Sequence, residues 1–121
     1  MDIKELIAAI PMTDTERAKS FYEKTLGFEL ETLSKPLNMY WVKKQTSKFL
    51  LYKREETTKA EHTVISFTVG NIKKTVQALE GKGVKFYEDA GTKIFNLDGS
   101  LSAWFQDTEG NNLEISQRAV N

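Results

Sequence analysis

Leu6 to Phe28 (LIAAIPMTDTERAKSFYEKTLGF) is the stretch whose reading decides the fold. Leu6 to Met12 is a short apolar run and reads as a buried strand. Thr13-Asp14 then offers an N-cap, with Glu16 and Arg17 in the first helical turn. Ala18, Phe21, Tyr22 and Leu26 recur at helical spacing, which predicts an amphipathic helix over 14–26. Gly27 stands where a helix takes its C-cap. Phe28 to Leu33 alternates like a half-buried strand.

The same order restarts further along. Asn38 to Lys43 and Lys48 to Lys53 are strand-like, with Gln45-Thr46-Ser47 as the turn between them. Arg54 to Glu61 is polar and reads as a linker. Val64 to Val69 is then a strand, Gly70-Asn71 replaces Thr13-Asp14, and Ile72, Val76 and Leu79 continue as a helix to about Glu80. Gly81-Lys82-Gly83 ends that helix, and Val84 to Tyr87 reads as another strand. Lys93 to Gln106 looks like a hairpin around Asp98-Gly99, Asp107 to Asn111 is a second tight turn, and Leu113 to Gln117 is the last strand. Aligning Asp14 with Asn71 superposes two copies of one strand–helix–strands pattern.

Composition narrows the function. With 121 residues the chain suits one domain. Seventeen Lys+Arg balance seventeen Asp+Glu, so no basic excess exists to drive nucleic-acid binding. There is no cysteine, which removes disulfides, thiolate metal ligands and a Cys nucleophile. His62 is the sole histidine, so one chain cannot supply two imidazoles to a metal. No apolar run is long enough for a membrane span, and Met1 to Glu5 is charged instead of signal-like, so a cytoplasmic protein is expected.

Ile10-Pro11-Met12-Thr13-Asp14, running through Phe21-Tyr22-Glu23-Lys24-Thr25-Leu26-Gly27-Phe28, resembles the first module of the vicinal-oxygen-chelate superfamily. That group includes glyoxalase, bleomycin-resistance proteins and extradiol dioxygenases. Ala103 to Glu114 resembles its closing hairpin. The resemblance implies an α+β fold, with tandem βαβββ modules forming a cup-shaped curved mixed sheet and helices on the outer side. It implies one domain over 1–121, with module one at about 1–55 and module two at about 62–121. A homodimer is expected on the same ground.

Metal-using members of that group place a His at the start of the first strand, a His at the start of the fifth and a Glu in the last, with a further Glu or Gln sometimes joining from the first half. Counted back from Asp14 and Asn71, the two His positions fall on Ile7 and Val64, which cannot bind metal. The first-half position falls near Leu51–Tyr52, and Glu114 keeps the last. His62 lies two residues before Val64, about 7 Å along an extended strand, and reads as a rim histidine or a displaced ligand. No cofactor or metal is therefore expected.

Alternation puts His62, Val64, Ser66 and Thr68 on the cup side of the fifth strand, and Glu114 beside Trp104. Tyr40, Trp41, Tyr52, Tyr87, Phe95 and Trp104 form an aromatic set from which the cup lining is drawn. The expected ligand-binding residues are His62, Ser66, Trp104, Tyr40 and Trp41, with Glu114 as the candidate catalytic group. The expected function is metal-independent binding of a small molecule. The alternative is a glyoxalase-type lyase or isomerase using Glu114 as base or a non-standard metal site.

Overall fold

Residues 1–56 and 60–119 are described by the computed structural model; part of the expected linker, 57–59, lies outside them. The chain divides into two compact units, Met1–Thr58 and Lys59–Asn121. Each unit runs strand, helix, three strands.

The first unit holds β1 (Ala9–Met12), helix α1 (Thr15–Ser20) with a π-helical continuation over Phe21–Thr25, β2 (Glu29–Ser34), β3 (Met39–Lys44) and β4 (Ser47–Lys53). The sheet order is β1-β4-β3-β2, with β1 parallel to β4 and the other pairs antiparallel. Asp14 caps α1 as expected, its carboxylate accepting the Arg17 N–H at 3.0 Å. Gly27 ends the helical run at φ +81°, a left-handed conformation that suits glycine. Ile10, Met12, Tyr40, Val42, Phe49 and Leu51 are buried on one face of the sheet, with Ala18 and Tyr22 of the helix. Tyr22 meets Phe49 edge-on at 5.4 Å and Phe28 at 6.4 Å. The core of this unit is therefore an aromatic cluster.

The second unit holds β5 (Ile65–Thr68), α2 (Ile72–Gly81), β6 (Phe95–Leu97), β7 (Ser100–Gln106) and β8 (Asn112–Gln117). Its order, β5-β8-β7-β6, repeats that of the first unit. Asn71 takes the place of Asp14 and accepts the Lys74 N–H at 3.0 Å. The start of α2 is also held by β8, since the Ile72 N–H donates to Gln117 Oε1 at 2.9 Å. Ile72, Val76 and Leu79 of α2 are buried, as are Ala103, Phe105, Leu113 and Ile115 of the sheet. Asp98 and Gly99, at φ +55° and +91°, make the expected two-residue hairpin turn. The next turn is locked by Asp107. Its carboxylate accepts the Glu109 and Asn111 N–H groups at 2.8 and 2.9 Å and the Asn111 amide at 2.7 Å. That lock sets the register of β7 against β8.

Three expectations are corrected. The first strand covers only Ala9–Met12, and Leu6 is 86% exposed. β1 is at the edge of its own unit's sheet, and its ladder stops where the Leu50 N–H donates to the Ala8 carbonyl. Val84 to Tyr87 forms no strand. Phe86 makes one antiparallel bridge to Phe105, and the Tyr87 N–H donates to the Trp104 carbonyl at 2.7 Å, so the segment covers the part of β7 that short β6 leaves open. The fifth strand starts at Ile65, not Val64, so His62 precedes it outside any strand.

Candidate functional site

In each unit the sheet face turned away from the helix carries the remaining side chains, and register pairs them across strands. In the second unit Ser66, Glu114 and Trp104 lie side by side on β5, β8 and β7. Thr68, Ser116, Ser102 and Phe95 make the next row, and Asn112 faces Gln106 in the row before. Glu114 and Trp104 are half-buried, and Ser66 is exposed.

The contacts on this face are specific. The Ser66 and Ser116 hydroxyls share a hydrogen bond at 3.3 Å. The Trp104 indole N–H donates to Thr63 Oγ1 at 3.1 Å, which fixes the ring edge. Phe95 sits 5.6 Å from Trp104 and Tyr87 sits 5.9 Å from Phe95, so three rings run along the sheet. Gln106 donates to Asn112 Oδ1 at 3.0 Å, and Asn112 donates on to the Ala60 carbonyl at 2.6 Å. The Glu114 side chain makes no hydrogen bond or ion pair among the described residues.

The first unit presents a different face. Trp41 lies beside Leu50 and Ala9, with Lys48 over its ring at 4.3 Å. Lys43 donates to Glu31 at 2.8 Å. That hydrogen bond, with the charge attraction behind it, holds Glu31 below the ordinary carboxylate range and Lys43 above the ordinary lysine value.

Of the expected binding residues, Ser66, Trp104 and Glu114 come together on one face. Trp41 lies on the corresponding face of the first unit. Tyr40 does not: it is buried on the helix side, with the Lys19 ammonium 4.4 Å from its ring centre. The one-residue step from Trp41 to Tyr40 forces opposite faces, so the two cannot share a surface. His62 is exposed in the segment that Ala60 and Thr63 anchor to β8 and β7. Phe95, Ser116 and Thr63 complete the site. Ser116 follows Glu114 by strand alternation. Nothing in the sequence marks Thr63, which lies in a loop and is known only by its bond to the indole.

The metal implied by the resemblance does not fit these residues. Ile7 lies ahead of β1, and Val64 joins β8 through its backbone N–H to the Asn112 carbonyl. Register makes Leu50, not Leu51 or Tyr52, the first-unit counterpart of Glu114, and it too is apolar. Among the described residues no three His, Asp or Glu side chains are grouped to hold an ion.

Two βαβββ units of equal strand order define the class of paired-module α+β proteins. The family model for the Glyoxalase/Bleomycin resistance protein/Dioxygenase superfamily matches residues 6–115, and the chain belongs to that superfamily. An integron cassette protein from the mobile metagenome of the Halifax Harbour sewage outfall is 25% identical, with a TM-score of 0.78 over 96% of this chain and 100% of that one. A glyoxalase family protein from Enterococcus faecalis is 20% identical, with a TM-score of 0.75 over 96% and 99%. An antibiotic-binding protein from a Streptomyces species is 19% identical, with a TM-score of 0.71 over 98% and 99%. A search of curated proteins finds no match. No helix among the described residues is long and apolar enough to cross a membrane.

Proposed function

We propose that the chain is a single-domain protein that binds a small molecule on the helix-free face of its second unit, without a resident divalent metal. The observation that carries this is the row Ser66–Glu114–Trp104, which sets a carboxylate with no side-chain partner among the described residues beside an indole anchored by its N–H. The chemistry of Ile7 and Val64 supports metal independence, since neither side chain has a donor atom. The fold likeness to an antibiotic-binding protein supports a binding role. The family resemblance further supports a homodimer, which sedimentation of the purified protein reads directly.

The test is thermal unfolding of purified protein with divalent zinc, nickel, manganese or iron, and separately with a panel of flat aromatic compounds. The metals are expected to leave Tm unchanged. A compound at a hundred times its Kd is expected to add about 2.7 kcal/mol. Trp104→Ala is expected to abolish that gain. One equivalent of metal per chain, lost in Glu114→Ala, would overturn the metal-free reading.

A Glu114 carboxylate with no partner among the described residues also suits the enzymatic alternative, in which it takes a proton from a bound substrate. Turnover that disappears in Glu114→Gln while binding persists would favour that alternative.

A further inference from the structure

We propose that the helix-free face of the second unit selects a flat ligand carrying a protonated nitrogen, with Glu114 as its counter-ion and Trp104 as its platform. This rests on the reading above that this face binds a small molecule.

The two units act as each other's control. Their registers map position onto position. Ala9, Leu50 and Trp41 of the first unit correspond to Ser66, Glu114 and Trp104 of the second. One row away, the facing pair Lys43 and Lys48 corresponds to Gln106 and Asn112. The tryptophan is kept in both copies, and its surroundings reverse in charge. In the first unit the chain supplies the cation, since Lys48 lies over the Trp41 ring. In the second unit both lysine positions are neutral amides, and the apolar Leu50 position is a carboxylate.

Among the described residues no side chain donates to that carboxylate, and the polar groups around it are bonded elsewhere. The Gln106 amide donates to Asn112, the Asn112 amide to Ala60, and the Trp104 indole to Thr63. The Ser66 and Ser116 hydroxyls are turned to each other. A half-buried carboxylate is satisfied best by charge-assisted donors, and a cation is held best over an indole face. A protonated amine or amidine on an aromatic ring meets both demands in one molecule. A neutral analogue meets only the stacking demand, and a carboxylate analogue meets repulsion from Glu114.

Three fragments of one shape test this: tryptamine, indole-3-ethanol and indole-3-acetate, titrated calorimetrically near pH 7 against the full chain. Tryptamine is expected to bind about tenfold more tightly than indole-3-ethanol, with indole-3-acetate weakest and the tryptamine advantage shrinking as salt rises. Glu114→Gln keeps the side-chain shape and is expected to erase the advantage, leaving tryptamine and indole-3-ethanol equal. Equal binding of all three that is still abolished by Trp104→Ala would overturn the cationic preference and leave the binding face standing. Tightest binding of indole-3-acetate would overturn the preference too. Binding of none of the three at millimolar concentration would overturn both the preference and the binding face.

Discussion

Asp14 and Asn71 hold the same post in the two units. Each precedes its helix in extended conformation, and each side chain accepts the N–H three residues on at 3.0 Å. Eight residues further along the pattern, Tyr22 and Leu79 are each buried under their own sheet. The units therefore share how a helix starts and where it presses. They differ in what fills the space. The first unit packs Tyr22 against Phe28 and Phe49. The second puts Leu79 with Ile72 and Val76 on its helix, keeps its buried ring pair at Phe86 and Phe105, and locks its last turn with the buried Asp107 carboxylate. A fold is thus specified by caps, turns and apolar periodicity, while core volume and surface chemistry are free to diverge between copies.

The largest expected effect breaks that comparison at Tyr22. Its side chain is fully buried among three rings, so Tyr22→Ala leaves a large void and is expected to cost about 3–5 kcal/mol. Leu79→Ala is expected to cost about 2 kcal/mol, because less volume is lost at a position 8% exposed. Urea unfolding of the two variants measures the difference. Equal losses would show that the Tyr22 ring adds nothing beyond a leucine at the matching helix position.

The caps sharpen the likeness and come next in size. Asp14→Ala and Asn71→Ala each remove one acceptor from a helix N-terminus and are each expected to cost about 1 kcal/mol. Asn71→Asp is expected to recover the cap and add a few tenths of a kcal/mol by placing charge at the helix start. Thermal unfolding reads all three. A loss at Asn71 well below that at Asp14 would mean that the Gln117 bond to the Ile72 N–H already holds the start of α2.

Much of this was legible in the sequence, for physical reasons. Both caps, the Asp98-Gly99 turn and the alternation of Leu113, Glu114, Ile115 and Ser116 are local signals, and local signals survive tertiary packing. The pairing of Glu114 with Trp104 also followed, because two antiparallel strands joined by a short turn allow few registers. Tyr40 was misassigned to the ligand because an aromatic side chain suits either face of a strand. Only the burial of Val42 with Tyr40, against the partial exposure of Trp41 and Lys43, shows which parity faces the helix. His62 was placed by counting along a strand that does not reach it. Thr63 and Lys48 depend on contacts between elements, which no single stretch records.

The smallest expected effect separates the two helix-free faces by how they respond to pH. The Lys43–Glu31 pair lies at the surface, with side chains 37% and 58% exposed, so its share of stability is slight. Its sign is nonetheless definite. Glu31 is held below its ordinary value, so its contribution is present above the ordinary carboxylate range and is lost as pH falls through the lowered value. Lys43 is held above its ordinary value, so its contribution is complete below the ordinary lysine range and is lost as pH rises through the raised value. The Tm difference between wild type and Lys43→Gln should therefore be widest between about pH 5 and pH 10 and shrink on both sides. Gln106 and Asn112 stand at the positions of Lys43 and Lys48, and a hydrogen bond between two amides does not titrate. The Tm difference for Gln106→Ala should stay flat across that range. A flat Lys43→Gln profile would mean that its bond to Glu31 adds no measurable stability in solution. The first face would then differ from the second in charge alone.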